Sequence, residues 1–319
     1  MEQDHGRIPR PEFPRPDFQR KEWETLNGVW GFSFEEPVFD REILVPFCYQ
    51  SKESGIGETK DYQKVWYQRT VTLEKEKLEG KHLLLKFGAV DSQAKVWVNG
   101  RYAGEHEGGY SAFEMDITSL VNAGENEIRV LAVDDTNADK PRGKQSWTGE
   151  KFGCWYTPCT GIWQSVWLEY VGSVHLERVK YTPNVSELSA LCEVFVSGTE
   201  DVMVELTATA QEGRLFLGSQ RFLCCHGYGK TTLTFPDLDI RRDQLLWTPD
   251  SPNLIDVCVK VFGSEKISDG GAQVEGRAAV SAFASQPEDV VNTYFGMRSI
   301  EYRNGRISLN GTVFYQRVV

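Results

Sequence analysis

An all-β protein is predicted: a jelly-roll-like β-sandwich followed by an immunoglobulin-like β-sandwich. Three observations carry the prediction. Apolar side chains recur with a period of two in segment after segment. Glycine-containing turn signals separate those segments, and nothing before residue 172 carries a helical period. Alternation at period two buries one side chain in two, as a half-buried strand requires. Repeated short strands between turns describe a sandwich.

Leu83–Tyr110 makes the pattern plainest. An apolar run from Leu83 to Phe87 turns through Gly88-Ala89-Val90-Asp91. From Gln93 to Val98, Ala94, Val96 and Val98 fall on one face, with Gln93, Lys95 and Trp97 on the other. Asn99-Gly100 then predicts a type I′ hairpin, because both central residues of that turn need positive φ. Arg101-Tyr102-Ala103 runs back, and Glu105-His106-Glu107-Gly108-Gly109-Tyr110 closes the stretch as a polar and aromatic loop.

The other elements follow in order. Residues 1–20 are rich in proline and are expected to lie extended over a domain surface. Asn27-Gly28 precedes Trp30, Phe32 and Phe34 on one face, the signal of a first strand pair. Ile43-Leu44-Val45 stops at Pro46, and Val65–Leu73 alternates again. Phe113, Met115 and Ile117 alternate with Glu114, Asp116 and Thr118, and a turn at Ala123–Asn126 leads into Glu127–Val133. A polar loop spans 134–153, and loops of that length are often functional, since strands fix their ends while the tip is free to specialise. The last strand of this half is Ile162–Val171. Beyond the junction at Val171-Gly172-Ser173, strands are expected at 174–181, 189–197, 202–210, 214–223, 230–236, 254–262 and 292–303. About seven strands in roughly 120 residues suit an immunoglobulin-like sandwich. The Gly/Ala/Ser-rich stretch 263–286 reads as a loose loop, and Asn310-Gly311 as one more hairpin.

The 319 residues suffice for two domains of ordinary size. A net charge of −11 without a basic cluster argues against nucleic acid and anionic membrane as partners. No apolar run approaches the ~20 residues of a membrane helix. The polar N-terminus carries no signal-peptide pattern, and seven cysteines without a framework spacing suit a cytoplasmic protein with free, mostly buried thiols. The nine tryptophans are expected mostly in the core.

A family resemblance rests on motifs in order along nearly the whole chain. Val45-Pro46-Phe47, Trp66-Tyr67, Phe87-Gly88-Ala89-Val90-Asp91, Val96-Trp97-Val98-Asn99-Gly100, His106-Glu107-Gly108-Gly109-Tyr110 and Asp116-Ile117-Thr118 come first. Pro141–Gln145, Thr160–Glu169, Trp247–Leu254, Tyr294–Arg298 and Leu309-Asn310-Gly311 follow. Together they resemble the N-terminal part of glycoside hydrolase family 2, the β-galactosidases and β-glucuronidases. The resemblance implies a sugar-binding domain over 1–172, an immunoglobulin-like domain over 173–303, and the start of a truncated catalytic TIM barrel over 304–319. In the family the two catalytic Glu residues of retaining hydrolysis lie in that barrel. Asn126-Glu127 mimics the family's acid/base dipeptide but opens a sandwich strand, so no catalytic residue is expected here. A cofactor is not implied either. In known members an Asp six residues before the position of Gly161 reaches into the active site; here that position is Trp155, which leaves the sugar open.

Candidate substrate-binding residues are His106, Glu107 and Tyr110 in the glycine-rich loop, and Trp147, Trp155 and Tyr156 in or beside the long loop. Aromatic rings present a face to sugar C–H groups, and charged groups bond to hydroxyls. The competing reading puts His106 on a local backbone group and the tryptophans in the core. Asp134, Asp135 and Asp139 match no cation loop and read as a solvated turn. Arg142 and Lys144 read as a charged loop surface, with an acidic sugar as the alternative. Cys154 and Cys159 lack zinc-site spacing, so no metal is expected. The expected role is the non-catalytic part of a family 2 glycosidase, with a carbohydrate substrate and its own barrel as partners and room for a homo-oligomer. A stand-alone carbohydrate-binding module is the alternative.

Overall fold

The computed structural model describes residues 8–135, 140–235, 242–264 and 283–317. Strands dominate, and their sheets stack in layers as an all-β sandwich. The chain divides into two compact units, Met1–Pro14 with Glu22–Val171, and Arg15–Lys21 with Gly172–Val319.

In the first unit a six-stranded antiparallel sheet runs in the order Arg41–Val45, Gly28–Phe34, Lys64–Leu73, Gly124–Val133, Gln93–Val98, Arg101–Glu107. A four-stranded sheet has the order Phe113–Asp116, His82–Phe87, Val166–Val171, Trp23–Thr25. The alternation in the sequence becomes the layer between them. Ala94, Val96, Val98, Ile128, Val130 and Ala132 are all buried, packed with Leu83, Leu85, Phe87 and Leu168 of the other sheet. Each Val, Ile, Leu or Phe among them contributes about 1.5–3 kcal/mol by leaving water. The Asn99-Gly100 turn has φ of 52° and 75°, the pair a type I′ hairpin demands.

Asn27-Gly28 does something other than turn a hairpin. Trp23–Thr25 belongs to the four-stranded sheet and Gly28–Phe34 to the six-stranded one, so this dipeptide carries the chain from one layer to the other. Its side chain explains why. Asn27 is fully buried; Nδ2 donates to Pro9 O, Arg10 O and Ser165 Oγ, and Oδ1 accepts from Val166 N at 2.9 Å. Gly88–Asp91 likewise does not simply reverse the chain, because Val90–Asp91 pairs with Gly161–Ile162 as a separate two-stranded ribbon.

The second unit packs a five-stranded sheet with a three-stranded one. The first has the order Phe18–Gln19, Asp289–Phe295, Ile255–Phe262, Val202–Ala210, Leu215–Cys224; the second is Leu176–Asn184, Ser189–Val196, Tyr228–Thr234. Val204, Leu206, Val257, Val259, Cys192 and Val194 form part of the core between them. The proline-rich segment does more than cover a surface. Phe18–Gln19 pairs with Asp289–Phe295, Phe18 joins the core, and Arg20 donates from Nε and Nη2 to both oxygens of buried Asp289 at 3.0 and 2.9 Å.

The single strand expected over 292–303 is two, Asp289–Phe295 and Ile300–Arg303. Between them Gly296 lies against Trp247, where a Cβ would come within 3.2 Å of the ring side chain, and Met297 O accepts from Trp247 N at 2.9 Å. Ile300–Arg303, Arg306–Leu309 and Thr312–Val313 form a small sheet whose Asn310-Gly311 turn has φ of 51° and 80°. Most of the loop expected at 263–286 lies outside the described residues.

Candidate functional site

One end of the first unit gathers the two-stranded ribbon, the glycine-rich loop and the long loop. Its centre is the amide of Gln145. Nε2 donates to Asp91 Oδ2 at 2.6 Å and to Tyr110 Oη at 3.0 Å, and Oε1 accepts from Cys159 N at 2.6 Å. Backbone pairing places the amide there, with Ser146 N donating to Tyr156 O and Tyr156 N to Lys144 O, each at 2.8 Å.

Asp91 is 4% exposed, and burial pushes its carboxyl up to about 6, with the Gln145 bond, Arg142 and Lys140 opposing and Asp134 adding to the rise. The glycine at 109 is a steric requirement, since a Cβ there would sit 2.3 Å from Asp91 Oδ1. Gly109 O accepts from Trp163 Nε1 at 2.8 Å, and Trp163 meets the half-exposed Tyr110 ring edge-on at 6.0 Å.

Behind this hub lies a charged cluster. Asp134 is 2% exposed and takes Lys140 Nζ at 3.0 Å, Arg142 Nη1 at 3.1 Å and Thr160 Oγ1 at 3.3 Å. Lys140 also reaches Asp135 at 2.8 Å and Ser92 Oγ at 3.0 Å. The solvated turn expected at Asp134 is therefore a buried ion-pair network, and Arg142 faces inward and not onto a charged surface; a buried carboxylate is held only by such partners. Asp139 lies outside the described residues. Among the described residues no three His, Cys, Asp or Glu side chains are grouped to hold a metal ion.

The six sequence candidates fall into three places. Tyr110 belongs to the hub. Trp147 meets Trp155 edge-on at 4.7 Å and Phe152 at 5.1 Å, and Trp147 and Tyr156 are 48% and 64% exposed. His106 turns away from the hub: its ring stacks on Phe113 at 4.3 Å, Phe113 stacks on Phe87 at 4.8 Å, and Nε2 shares a hydrogen bond with Ser111 Oγ at 3.0 Å. Glu107 is exposed at the end of its strand. Of the nine tryptophans, Trp30 and Trp167 are buried, Trp147 is exposed and the other six are half-buried.

An open cleft of about 690 Å³ adjoins the long loop, lined by Glu58–Asp61 on one side and by Thr148–Lys151 and Thr157 on the other. Burial raises the Asp61 carboxyl. Ring faces, a shared amide and polar cleft walls form a surface suited to a polyhydroxyl ligand, which offers C–H faces and hydroxyls together.

Residues 54–168 match the sugar-binding domain of the family 2 glycosyl hydrolases. A β-galactosidase from Thermoanaerobacter pseudethanolicus is 28% identical over 254 residues, covering 77% of this chain and 32% of its own length. Residues 54–168 therefore form a sugar-binding domain of the glycoside hydrolase family 2 type. A β-glucuronidase from Felis catus is 25% identical over 233 residues, 61% of this chain and 36% of its own. Among solved structures, a Bifidobacterium dentium β-glucuronidase complexed with coumarin-3-O-glucuronide has a TM-score of 0.66 at 20% identity, over 93% of this chain and 52% of that one. That likeness speaks to the fold. The chain spans about a third of these curated relatives' length, and its matched domain contains the hub, the aromatic triplet and the cleft.

Asp91, Gln145 and the Cys48–Cys159 contact escaped the sequence reading. Asp91 closes the motif Phe87–Asp91, and a Gly-Gly pair is a signal that some group approaches closely. Gln145 closes the motif Pro141–Gln145, but nothing local gives its amide a linking role, since its partners lie 54 and 35 residues away.

Proposed function

We propose that the chain is the non-catalytic N-terminal part of a retaining family 2 glycosidase, β-galactosidase- or β-glucuronidase-like in substrate. Its first unit supports a catalytic barrel and supplies one wall of the sugar pocket. The observation that carries the reading is the Gln145 amide, which links buried Asp91 to half-exposed Tyr110 within the matched sugar-binding domain. Tyr110, Trp147, Trp155 and Tyr156 are the wall's ring surfaces; Glu107 stands at its edge, and His106 positions the glycine-rich loop through Phe113. Binding energy gained on such a wall, remote from the reacting bond, can be used to lower the barrier at that bond.

A second reading, a carbohydrate-binding module working alone, is favoured by the exposure of Trp147 and Tyr156. Titrating the chain with methyl β-galactoside and methyl β-glucuronide separates the two. A wall without its barrel binds more weakly than about 1 mM, which corresponds to about 4 kcal/mol. Saturable binding tighter than that would support the module and overturn the scaffold.

A further inference from the structure

Two thiols 111 residues apart in sequence come together beside the hub: the Cys48 and Cys159 side chains lie close enough for each to shift the other's ionisation. Their neighbours run side by side as well. Gln50 Oε1 accepts from Thr160 N at 3.3 Å. Both backbones are held: Ser51 N donates to Cys48 O at 2.9 Å, and Cys159 N donates to Gln145 Oε1 at 2.6 Å. Both cysteines are half-buried and so within reach of a small reagent. Cys192 and Cys224 are buried, Cys258 is half-buried, and Cys154 and Cys225 are exposed. The expectation of mostly buried thiols therefore fails for five of the seven.

We propose that Cys48 and Cys159 form a thiol–disulfide exchange site, which a small external disulfide of the glutathione class oxidises to an intramolecular cross-link.

The two thiols are unequal. The nearby Cys159 thiol, helped by backbone contacts around Ser51 and Gln50, lowers Cys48 to about 7 against the burial that raises it. Cys159 moves the other way, through the same pairing, burial, and the nearby Asp91 and Asp134 carboxylates. A thiolate is the attacking species, so Cys48 attacks and Cys159 resolves. In the first step Cys48 Sγ forms a bond to one sulfur of the external disulfide, whose S–S bond breaks and releases one small thiolate. In the second, Cys159 Sγ attacks Cys48 Sγ and expels the second small thiolate, and the Cys159 proton goes to a leaving thiolate. Two protein thiols lose two electrons and one external disulfide gains them. The product ties the turn after strand Arg41–Val45 to the segment carrying Trp155 and Tyr156, and fixes the backbone N–H on which the Gln145 amide rests.

The test treats the folded chain with oxidised glutathione, alkylates the remaining thiols, and maps the products by digestion and mass spectrometry without reduction. The expected product is a linked Cys48–Cys159 peptide with two protein thiols lost. Cys48 should be consumed roughly tenfold faster than Cys258, whose thiol burial raises. In Cys159→Ser the reaction should stop at a glutathione adduct on Cys48, and Cys48→Ser should form neither product. Stable glutathione on Cys48 in the wild-type chain, both cysteines left free, or cross-links that scramble through Cys154 would each overturn the proposal. The wild-type mapping stands even where a serine variant does not fold.

Discussion

Replacing Asp91 with Asn should change how stability depends on pH, and the structure sets the size of the change. The native carboxyl is buried and keeps its proton up to about pH 6. In the unfolded chain an Asp releases its proton near pH 4. Between those values the native state binds more protons than the unfolded state, so the native form loses stability as pH rises through the window. A displacement of about two units at 1.36 kcal/mol each makes the cost at pH 7 about 3 kcal/mol. Asn cannot ionise, and its carbonyl still accepts from Gln145. Relative to wild type, the Asp91→Asn variant should therefore gain about 3 kcal/mol between pH 4 and pH 7. Eight of the nine tryptophans lie in the first unit, so urea unfolding followed by indole fluorescence reads the correct half of the molecule. A variant-minus-wild-type difference that stays flat across the window would refute the assignment of Asp91 as a buried carboxyl held above its ordinary range.

Three further changes follow from close contacts. Gly109→Ala places a methyl 2.3 Å from Asp91 Oδ1 and 2.7 Å from its Cγ, and should cost about 1–3 kcal/mol in the same unfolding assay; a silent substitution would mean the loop does not lie on the carboxyl. Arg142→Ala leaves Asp134 with Lys140 as its remaining cation. A complete loss of partners costs about 3–5 kcal/mol, so this variant should lose less, below about 3 kcal/mol, and limited proteolysis should cut the 140–156 loop faster than in wild type. Arg20→Ala removes both hydrogen bonds to Asp289, a group 6% exposed, and should destabilise the second unit by about 3–5 kcal/mol. Hydrogen exchange along Asp289–Phe295 should then accelerate, and unchanged protection there would contradict the pairing.

Local sequence codes for the strands, and they were legible because each is an alternation bounded by a turn. Asn99-Gly100 shows the rule working, since both residues hold positive φ in the hairpin the dipeptide predicts. Asn27-Gly28 shows its limit. The same dipeptide crosses between sheets, because four hydrogen bonds to Pro9, Arg10, Ser165 and Val166 fix its side chain, and all four partners lie 17 or more residues away. The site divides along the same line. Tyr110 and the Trp147–Trp155 pair were visible as aromatic residues in glycine-rich loops. The amide that joins Tyr110 to Asp91, the ion pairs on Asp134 and the Cys48–Cys159 contact were not, since each depends on segments that only the folded chain brings together. His106, a histidine in a conspicuous motif, stacks its ring on Phe113, a contact that the motif does not reveal.

The proposed function has this chain support and line a sugar pocket without carrying the chemistry. The most direct measurement is hydrolysis of aryl β-galactosides and aryl β-glucuronides by the purified chain, prepared in a host lacking its own glycosidases. No release of p-nitrophenol above buffer is predicted. Release that rises in proportion to the chain and co-purifies with it would contradict the claim.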